Sequence, residues 1–426
     1  MLDINLIREK PQQVRAALLK RMDEVDFTEL LEWDKQRRSI IFDAESLKAK
    51  RNKVSAEIPK LKKEGRNIQQ LLDEMKSIAE KIKEQDTLIT QLDNQINNFL
   101  VGLPNIPAED VKAGGKENNE VVRVWGQKPE FKYKPKNHVD LVCNLGLIDY
   151  ERGVKLGGNG FWIYKGEGAL IEWALLNYFI EEHIKDGYEF ILPPHILTWQ
   201  CGYTAGQFPK FSDDVFTLEN KEDKANRQFI LPTAETALCN FHKDEILNES
   251  ELPKKYFAYT PCYRKEAGSY RANERGMIRG HQFNKVEMFQ YTKPEDSEKA
   301  LEELIEKAER LVQGLGLHYR VSKLAAGDCS ASMGKTFDIE IWIPSMNEYK
   351  EVSSASNGYD YQSRRGSIKF RRDASKKTEF VHTLNASGLA TSRLIPAIVE
   401  QLQMEDGSVL LPEVLQKWVG KDVIRV

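Results

Sequence analysis

Two consecutive runs of residues stepping by alternating threes and fours constrain this chain more than any other feature. The first passes through Leu30, Trp33, Arg37, Ile40, Ala44, Leu47, Arg51, Val54, Ile58 and Leu61. The second passes through Ile68, Leu71, Met75, Ile78, Ile82, Gln85, Ile89, Leu92, Ile96 and Phe99. Such a repeat lays each set along one stripe of a helix. The polar turn Lys62-Lys63-Glu64-Gly65-Arg66-Asn67 between them predicts two antiparallel helices, a coiled-coil arm over about residues 28–100. At ~1.5 Å per residue each helix is on the order of 50 Å long, so the hairpin projects. Pro59 is expected to remove a backbone hydrogen bond and to bend or fray the last turns of the first helix.

A heptad rod is by default a dimerisation or structural element, and charge placement changes that expectation. The distal end carries Lys48, Lys50, Arg51, Lys53, Lys60, Lys62, Lys63 and Arg66 against only Glu57 and Glu64. A solvated helix mixes its signs, whereas a rod with a basic tip can follow a phosphate backbone. Leu103-Pro104-Asn105-Ile106-Pro107 then breaks the helical period and Gly114-Gly115 follows. This boundary divides the chain into residues 1–105 and 106–426, as its 426 residues require, since a single core stops growing near ~250–300.

The apolar content of 41% with 9% aromatic residues excludes a disordered chain. The densest apolar stretch, Leu170 to Ile180, carries Glu172 and falls short of the ~18 residues of a membrane span. Neither a signal peptide nor a transit peptide is legible in Met1 to Lys20, so the expected compartment is the cytoplasm. Cys143, Cys201, Cys239, Cys262 and Cys329 are odd in number and widely spaced. That spacing fits neither a disulfide frame nor a zinc ribbon, and predicts reduced packing residues and no structural zinc.

Beyond the boundary, helical spacing at Ala169 to Ile184 and Glu302 to Leu315 alternates with β-rich runs at 190–192, 256–259, 283–292, 337–343 and 380–384. Strands follow strands, which predicts an α+β domain: an antiparallel sheet flanked by helices. No glycine-rich phosphate loop of a familiar type is present, so a nucleotide would be held by side chains. Tyr263-Arg264-Lys265-Glu266 ends one strand, and a loop with Arg271, Arg275 and Arg279 leads to Phe283-Asn284-Lys285-Val286-Glu287. Alternation places Phe283, Lys285 and Glu287 on one face and Val286 on the other. Arginines around a lone aromatic suit phosphate and a flat base. Leu231-Pro232-Thr233-Ala234-Glu235 and the run Glu351 to Asn357 are weak signals alone, the latter reading more readily as a turn. In His382 to Arg393 a strand hands over to an amphipathic helix.

Taken in order, these segments resemble the class II aminoacyl-tRNA synthetases, and among them the bacterial-type seryl-tRNA synthetases, over nearly the whole chain. Arg264 to Glu287 is similar to their motif 2 and Gly388 to Arg393 to motif 3. The resemblance implies ATP-dependent activation of L-serine to seryl-adenylate and transfer to tRNA(Ser), extending to tRNA(Sec). It implies that Arg264 and Arg393 are catalytic, and that Arg264 holds the α-phosphate and the serine carboxylate. Glu266 would read the adenine amino group, Phe283 and Arg393 would sandwich the ring, and Arg279 would hold the terminal phosphates. Glu351 and Ser354 would bind the Mg2+ that accompanies ATP. Thr233 and Glu235 would take the serine ammonium, with Glu287, Asn385 and Ser387 around its hydroxyl. The eight basic tip residues would contact tRNA, and the motif 1-like helix and strand ending at Leu192-Pro193-Pro194 would form a homodimer.

The chain departs from the family pattern where Ala355 and Gly358 stand in place of common cysteines, where Gly280 follows Arg279, and at Cys329 to Gly334. A paralogue acylating a carrier protein would have no use for the basic arm, and a non-catalytic RNA-binding relative would have no use for Arg264, Glu266, Glu351 and Arg393.

Overall fold

The two apolar stripes become α1 (Thr28–Lys63) and α2 (Gln69–Gly102), which pack against each other in a computed structural model of the chain. The structure describes residues 1–65, 67–219, 227–266 and 276–425. Arg66, Arg271 and Arg275 lie outside the described residues. Every stripe position is at least partly buried, and Ile78, Ile82, Leu92 and Ile96 are fully so. Trp33 meets Phe99 edge to face with ring centres 6.3 Å apart, and Arg37 Nη1 bonds Asp93 at 2.8 Å, so the helices are antiparallel. Of the two arginines that interrupt the stripe, Arg37 is therefore spent on a cross-helix ion pair. Asp34, wholly buried, accepts from Arg8, Arg37 and Arg38 at 3.0, 3.2 and 3.0 Å. Pro59 does not stop α1, which runs on to Lys63.

The chain divides into two compact units: Leu2–Leu19 with Asp23–Leu103, and Met1 with Lys20–Met22 and the chain from Pro104 onward. The second unit is built on an eight-stranded sheet of β1 (Glu120–Trp125), β2 (Glu189–Ile191), β3 (Lys254–Tyr263), β4 (Gln282–Thr292), β5 (Tyr319–Lys323), β6 (Lys335–Ile343), β7 (Glu348–Tyr359) and β8 (His382–Ala390). Their spatial order is β1-β5-β6-β7-β8-β4-β3-β2, antiparallel throughout except where β2 joins β3. Helices α3 (Glu167–Lys185), α4 (Ser297–Gly314) and α5 (Thr391–Gln401) pack on it. Leu175, Phe179, Leu304, Leu311, Leu394 and Ile398 bury their side chains in one core with Val286, Met288 and Ala386 of the sheet. On the opposite face of β4, Phe289 and Tyr291 join a second apolar cluster with Leu238 and Phe370, and only the stretch with Lys285 and Glu287, beside Asn385 of β8, is left for polar chemistry.

Three strands escaped the sequence reading. β1 and β5 are short and each carries two charged residues, Glu120 and Arg123 or Arg320 and Lys323, and β7 contains the serine-rich run read as a turn; sheet partners on both sides override its local preference. Cys143 is exposed, unlike the buried Cys239, Cys262 and Cys329, so it is not a packing residue. No helix among the described residues is long and apolar enough to cross a membrane.

Candidate active site

Arg264 follows the last residue of β3 and is anchored twice: its N–H donates to the His281 carbonyl at 2.9 Å, and its Nε to the Pro232 carbonyl at 3.2 Å. Its guanidinium stands 5.2 Å from the centre of the Phe283 ring, a cation–π distance. Phe283 lies opposite Cys262 in the β3–β4 pairing. Continuing along that face of β4, Lys285 and Glu287 are only 6% and 1% exposed and form an ion pair.

Two further segments converge on this pair, and a third supports them from behind. Thr233, the N-cap of the short helix Ala234–Leu238, accepts from Lys285 Nζ at 2.7 Å and from the Glu235 N–H at 3.3 Å. Its hydroxyl donates to Glu287 Oε2 at 3.2 Å, so all three of its hydrogen-bonding capacities are used. Asn385 Nδ2 donates to Glu287 Oε1 at 3.4 Å, and Ser387 stands opposite Glu287 in the β4–β8 register. Glu235 accepts from Gln362 Nε2 at 2.8 Å, and Gln362 accepts in turn from Thr383 Oγ1 at 2.7 Å. Burial, and next the charge of Glu287, push the Glu235 carboxyl up to about 7, against the pull of Lys285, the Gln362 amide and Arg264. This arrangement suits a small zwitterion carrying a hydroxyl, because its buried polar groups leave a ligand lacking such groups with unpaired partners.

Glu266, in the left-handed backbone region at φ 52°, is ion-paired with Arg279. Two residues expected at opposite ends of a nucleotide are therefore joined to each other. Gly280 has a packing reason: a Cβ there would stand 2.2 Å from the Trp162 ring. Gly388 is held by the same kind of constraint, since a Cβ would meet His183 Nε2 at 2.3 Å.

The third group lies on β6, β7 and α5. Arg393 donates through Nε to the Ile278 carbonyl at 3.1 Å and through Nη1 to the Glu351 carbonyl at 2.7 Å, with the Glu351 carboxylate 3.7 Å away. Its guanidinium is not seated on the Phe283 ring, which meets Arg264 instead. Asp338 pairs with Ser354 across β6 and β7. Its carboxyl is held well above the usual carboxylate range, first by burial and then by the charge of Glu351, with the Ser354 hydroxyl pulling the other way. Asp338 Oδ1 is buried without a hydrogen-bond partner.

Residues 216–402 match the family described as "tRNA synthetase class II core domain (G, H, P, S and T)", and residues 1–107 match "Seryl-tRNA synthetase N-terminal domain". The chain is 66% identical over 423 residues to "Serine--tRNA ligase 2" of Clostridium acetobutylicum, covering 99% of this chain and 100% of that protein. The chain belongs to the seryl-tRNA synthetase family. The "Serine--tRNA ligase" of Clostridium tetani is 44% identical, with both chains wholly covered. Among solved structures, the seryl-tRNA synthetase of Pyrococcus horikoshii complexed with ATP superposes with a TM-score of 0.91 at 35% identity, over 100% of this chain and 99% of that one. The helical arm joined to an antiparallel-rich catalytic sheet is thus the architecture of a class II synthetase, and the chain is an enzyme of that class.

The family implies Mg2+ with ATP, and the donors present fit it: Glu351, Ser354 and the unpartnered Asp338 Oδ1 are hard oxygen ligands. Among the described residues no three His, Cys, Asp or Glu side chains gather to hold a metal by themselves, so the remaining ligands would come from the nucleotide phosphates. Sequence reasoning missed Asp338 and Gln362 altogether, and it gave Lys285 a face but no role. A lysine between Phe283 and Glu287 in a strand was the one available signal, because a lysine there must be paired if buried.

At the arm's distal end, Lys48 bonds Asp86 at 2.8 Å and Lys50 bonds Glu74 at 2.5 Å, so acids of α2 offset part of the basic charge. Arg51, Lys53, Lys60, Lys62 and Lys63 have no ion pair among the described residues.

Proposed function

We propose that the protein activates L-serine with ATP to seryl-adenylate and transfers the seryl group to tRNA(Ser) and tRNA(Sec) in the cytoplasm. The observation that carries this reading is the buried network of Thr233, Lys285, Glu287 and Asn385 next to Arg264. Glu235 and Thr233 receive the serine ammonium, which takes the place of Lys285 on the Thr233 hydroxyl, while Glu287, Asn385 and Ser387 surround the serine hydroxyl. A carboxylate is already ionised at neutral pH, so the first step needs no general base. A serine carboxylate oxygen attacks the α-phosphorus, the bond to the bridging oxygen of the β-phosphate breaks, and pyrophosphate leaves. Arg264, held by two carbonyl contacts, aligns carboxylate with phosphate and offsets the charge that develops between them. A hydroxyl of the terminal ribose of tRNA then attacks the acyl carbon and AMP departs.

Phe283 and Arg393 flank the adenine, Glu266 reads its amino group, and Arg279 takes the terminal phosphates. Nucleotide binding therefore replaces the Glu266–Arg279 pair with contacts to ATP. Mg2+, carried by Glu351 and Ser354, supplies charge neutralisation to the phosphates when bound. Residues 1–105 serve as the tRNA-binding domain and 106–426 as the catalytic core. The tip residues Lys48, Lys50, Arg51, Lys53, Lys60, Lys62, Lys63 and Arg66 track the RNA backbone by charge and shape. The protein works as a homodimer, a reading supported by the exposed apolar side chains Leu170, Trp173 and Ile184 of α3, and by Leu192, 71% exposed just beyond the edge strand β2.

Exchange of pyrophosphate into ATP, run with serine, threonine, alanine and glycine, tests the active site. Charging of tRNA with residues 48–66 replaced by a short turn tests the arm. Exchange with serine alone, and loss of charging without loss of exchange in the shortened protein, is the expected result. No exchange with any amino acid overturns the enzyme reading.

A further inference from the structure

Glu172 lies in a helix face otherwise made of Ile171, Ala174, Leu175 and Phe179, and is only 3% exposed. A leucine would fill such a position without the penalty of burying a carboxyl. That burial pushes the group up to about 7, and the reading above gives it no part in serine or phosphate chemistry. Its bonds are specific. Oε1 accepts from Asn284 Nδ2 at 2.7 Å and from Thr391 Oγ1 at 2.6 Å. Thr391 Oγ1 also stands 3.2 Å from the Asn284 carbonyl, and Asn284 Oδ1 accepts from the Tyr259 hydroxyl of β3 at 3.2 Å. Asn284 is the residue after Phe283, and Thr391 opens α5 two residues before Arg393.

We propose that Glu172 is a positioning residue for ATP: one carboxyl oxygen in α3 ties the strand that presents Phe283 to the helix that presents Arg393, and so sets the slot that receives the adenine. This rests on the reading that these two side chains flank the base. The slot's two walls come from distant parts of the chain: their backbones already meet where Lys285 pairs with Ala390 and Thr391 reaches the Asn284 carbonyl, but the side chains are anchored apart, Phe283 near Arg264 and Arg393 on the Ile278 and Glu351 carbonyls. A shared acceptor on α3 adds a side-chain tie to that backbone junction and fixes its angle, and displacements of an ångström at a reacting centre are costly in rate.

The test uses the full chain in serine-dependent pyrophosphate exchange, with the KM for ATP, the KM for serine and kcat measured separately and melting temperatures recorded. The variants are Glu172→Leu, Glu172→Gln, Thr391→Val, Asn284→Ala and Phe283→Leu. Glu172→Leu is expected to raise the KM for ATP about tenfold with the KM for serine within about twofold of the parent. Glu172→Gln keeps an acceptor oxygen and is expected to restore the parent value. Thr391→Val and Asn284→Ala each remove one tie and are expected to give smaller rises in the same constant; they carry the test if Glu172→Leu does not fold. An unchanged KM for ATP in Glu172→Leu, or in both single-tie variants, overturns the proposal, as does failure of Glu172→Gln to restore it or an equal shift in both KM values. Phe283→Leu separates the two levels: a raised KM for ATP there with none in Glu172→Leu sinks the tie alone, whereas no change in Phe283→Leu sinks the adenine slot and the tie with it.

Discussion

In α1 and α2 the residues that meet are set by a repeat a few residues long, whereas at Glu287 the residues that meet come from three separate stretches, around Thr233, Lys285 and Asn385. The arm also handles its buried charge differently. Asp34 is surrounded by Arg8, Arg37 and Arg38, a closed set that leaves it nothing to offer a ligand. Glu287 also has three donors, but only one of them is a cation, and its neighbour Glu235 has a single amide donor, so two carboxylates share one lysine and the pocket keeps negative charge in reserve. A surplus of countercharge makes a scaffold; a deficit, held in place by a rigid sheet, makes a binding site.

The largest effect that separates the regions is expected from Lys285→Met. It leaves Glu287 buried without its cation and should cost the catalytic unit about 3–5 kcal/mol in denaturant unfolding. The coiled-coil signal in circular dichroism should stay unchanged; unfolding of both units together would erase the distinction. Arg264→Ala should lower kcat/KM in serine-dependent exchange by about 10²–10³ with no change in helical content. A loss below tenfold would remove Arg264 from the chemistry. Replacing Lys53, Lys60, Lys62 and Lys63 by alanine should leave exchange intact and flatten the slope of log(kcat/KM) for tRNA against log salt by roughly 3. An unchanged slope would return the arm to a structural rod.

The smallest effect is a pH dependence. Because Glu235 is raised to about 7, the free pocket holds it mostly neutral below that pH, whereas an ammonium is best held by the carboxylate. The KM for serine should therefore fall about tenfold between pH 6 and 8 and then level off, and Glu235→Gln should flatten the profile. The stability sign is the reverse. A carboxyl raised from 4.5 to about 7 stabilises the fold below the unfolded value, and that contribution is lost as pH rises through about 7. A serine KM that does not change with pH in the parent would sink the assignment of Glu235 to the ammonium.

How much was legible follows the same division. The arm's seam, its turn and both helices could be read because each stripe residue is identified by neighbours three or four positions away. The sheet strands with clear apolar alternation, β3, β4 and β6, could be read for the same reason, as could the face shared by Phe283, Lys285 and Glu287. β7 could not: Ser353, Ser354 and Ser356 favour turns locally, and only β6 and β8 on either side make that segment a strand. The partners of the site were also out of reach. Nothing near Gln362 in sequence points to Glu235, and nothing near Asp338 points to Ser354, because those meetings exist only in the folded register. The Glu172 tie is of the same kind: a lone acid in an apolar helix, legible as an interruption but not as a junction.

The strand order has a consequence for how the enzyme comes into being on the ribosome. β4, which supplies Lys285 and Glu287, is flanked by β3 and by β8, the last strand of the sheet to be synthesised. A nascent chain that has emerged only through β7 can form the arm by local zippering and can pair β3 with β4, yet its sheet lacks the strand that joins the two halves. Asn385, Ser387 and Arg393 then arrive together, so the polar pocket around Glu287 is completed in one late step of translation. A truncated product would keep a basic arm with no finished pocket behind it.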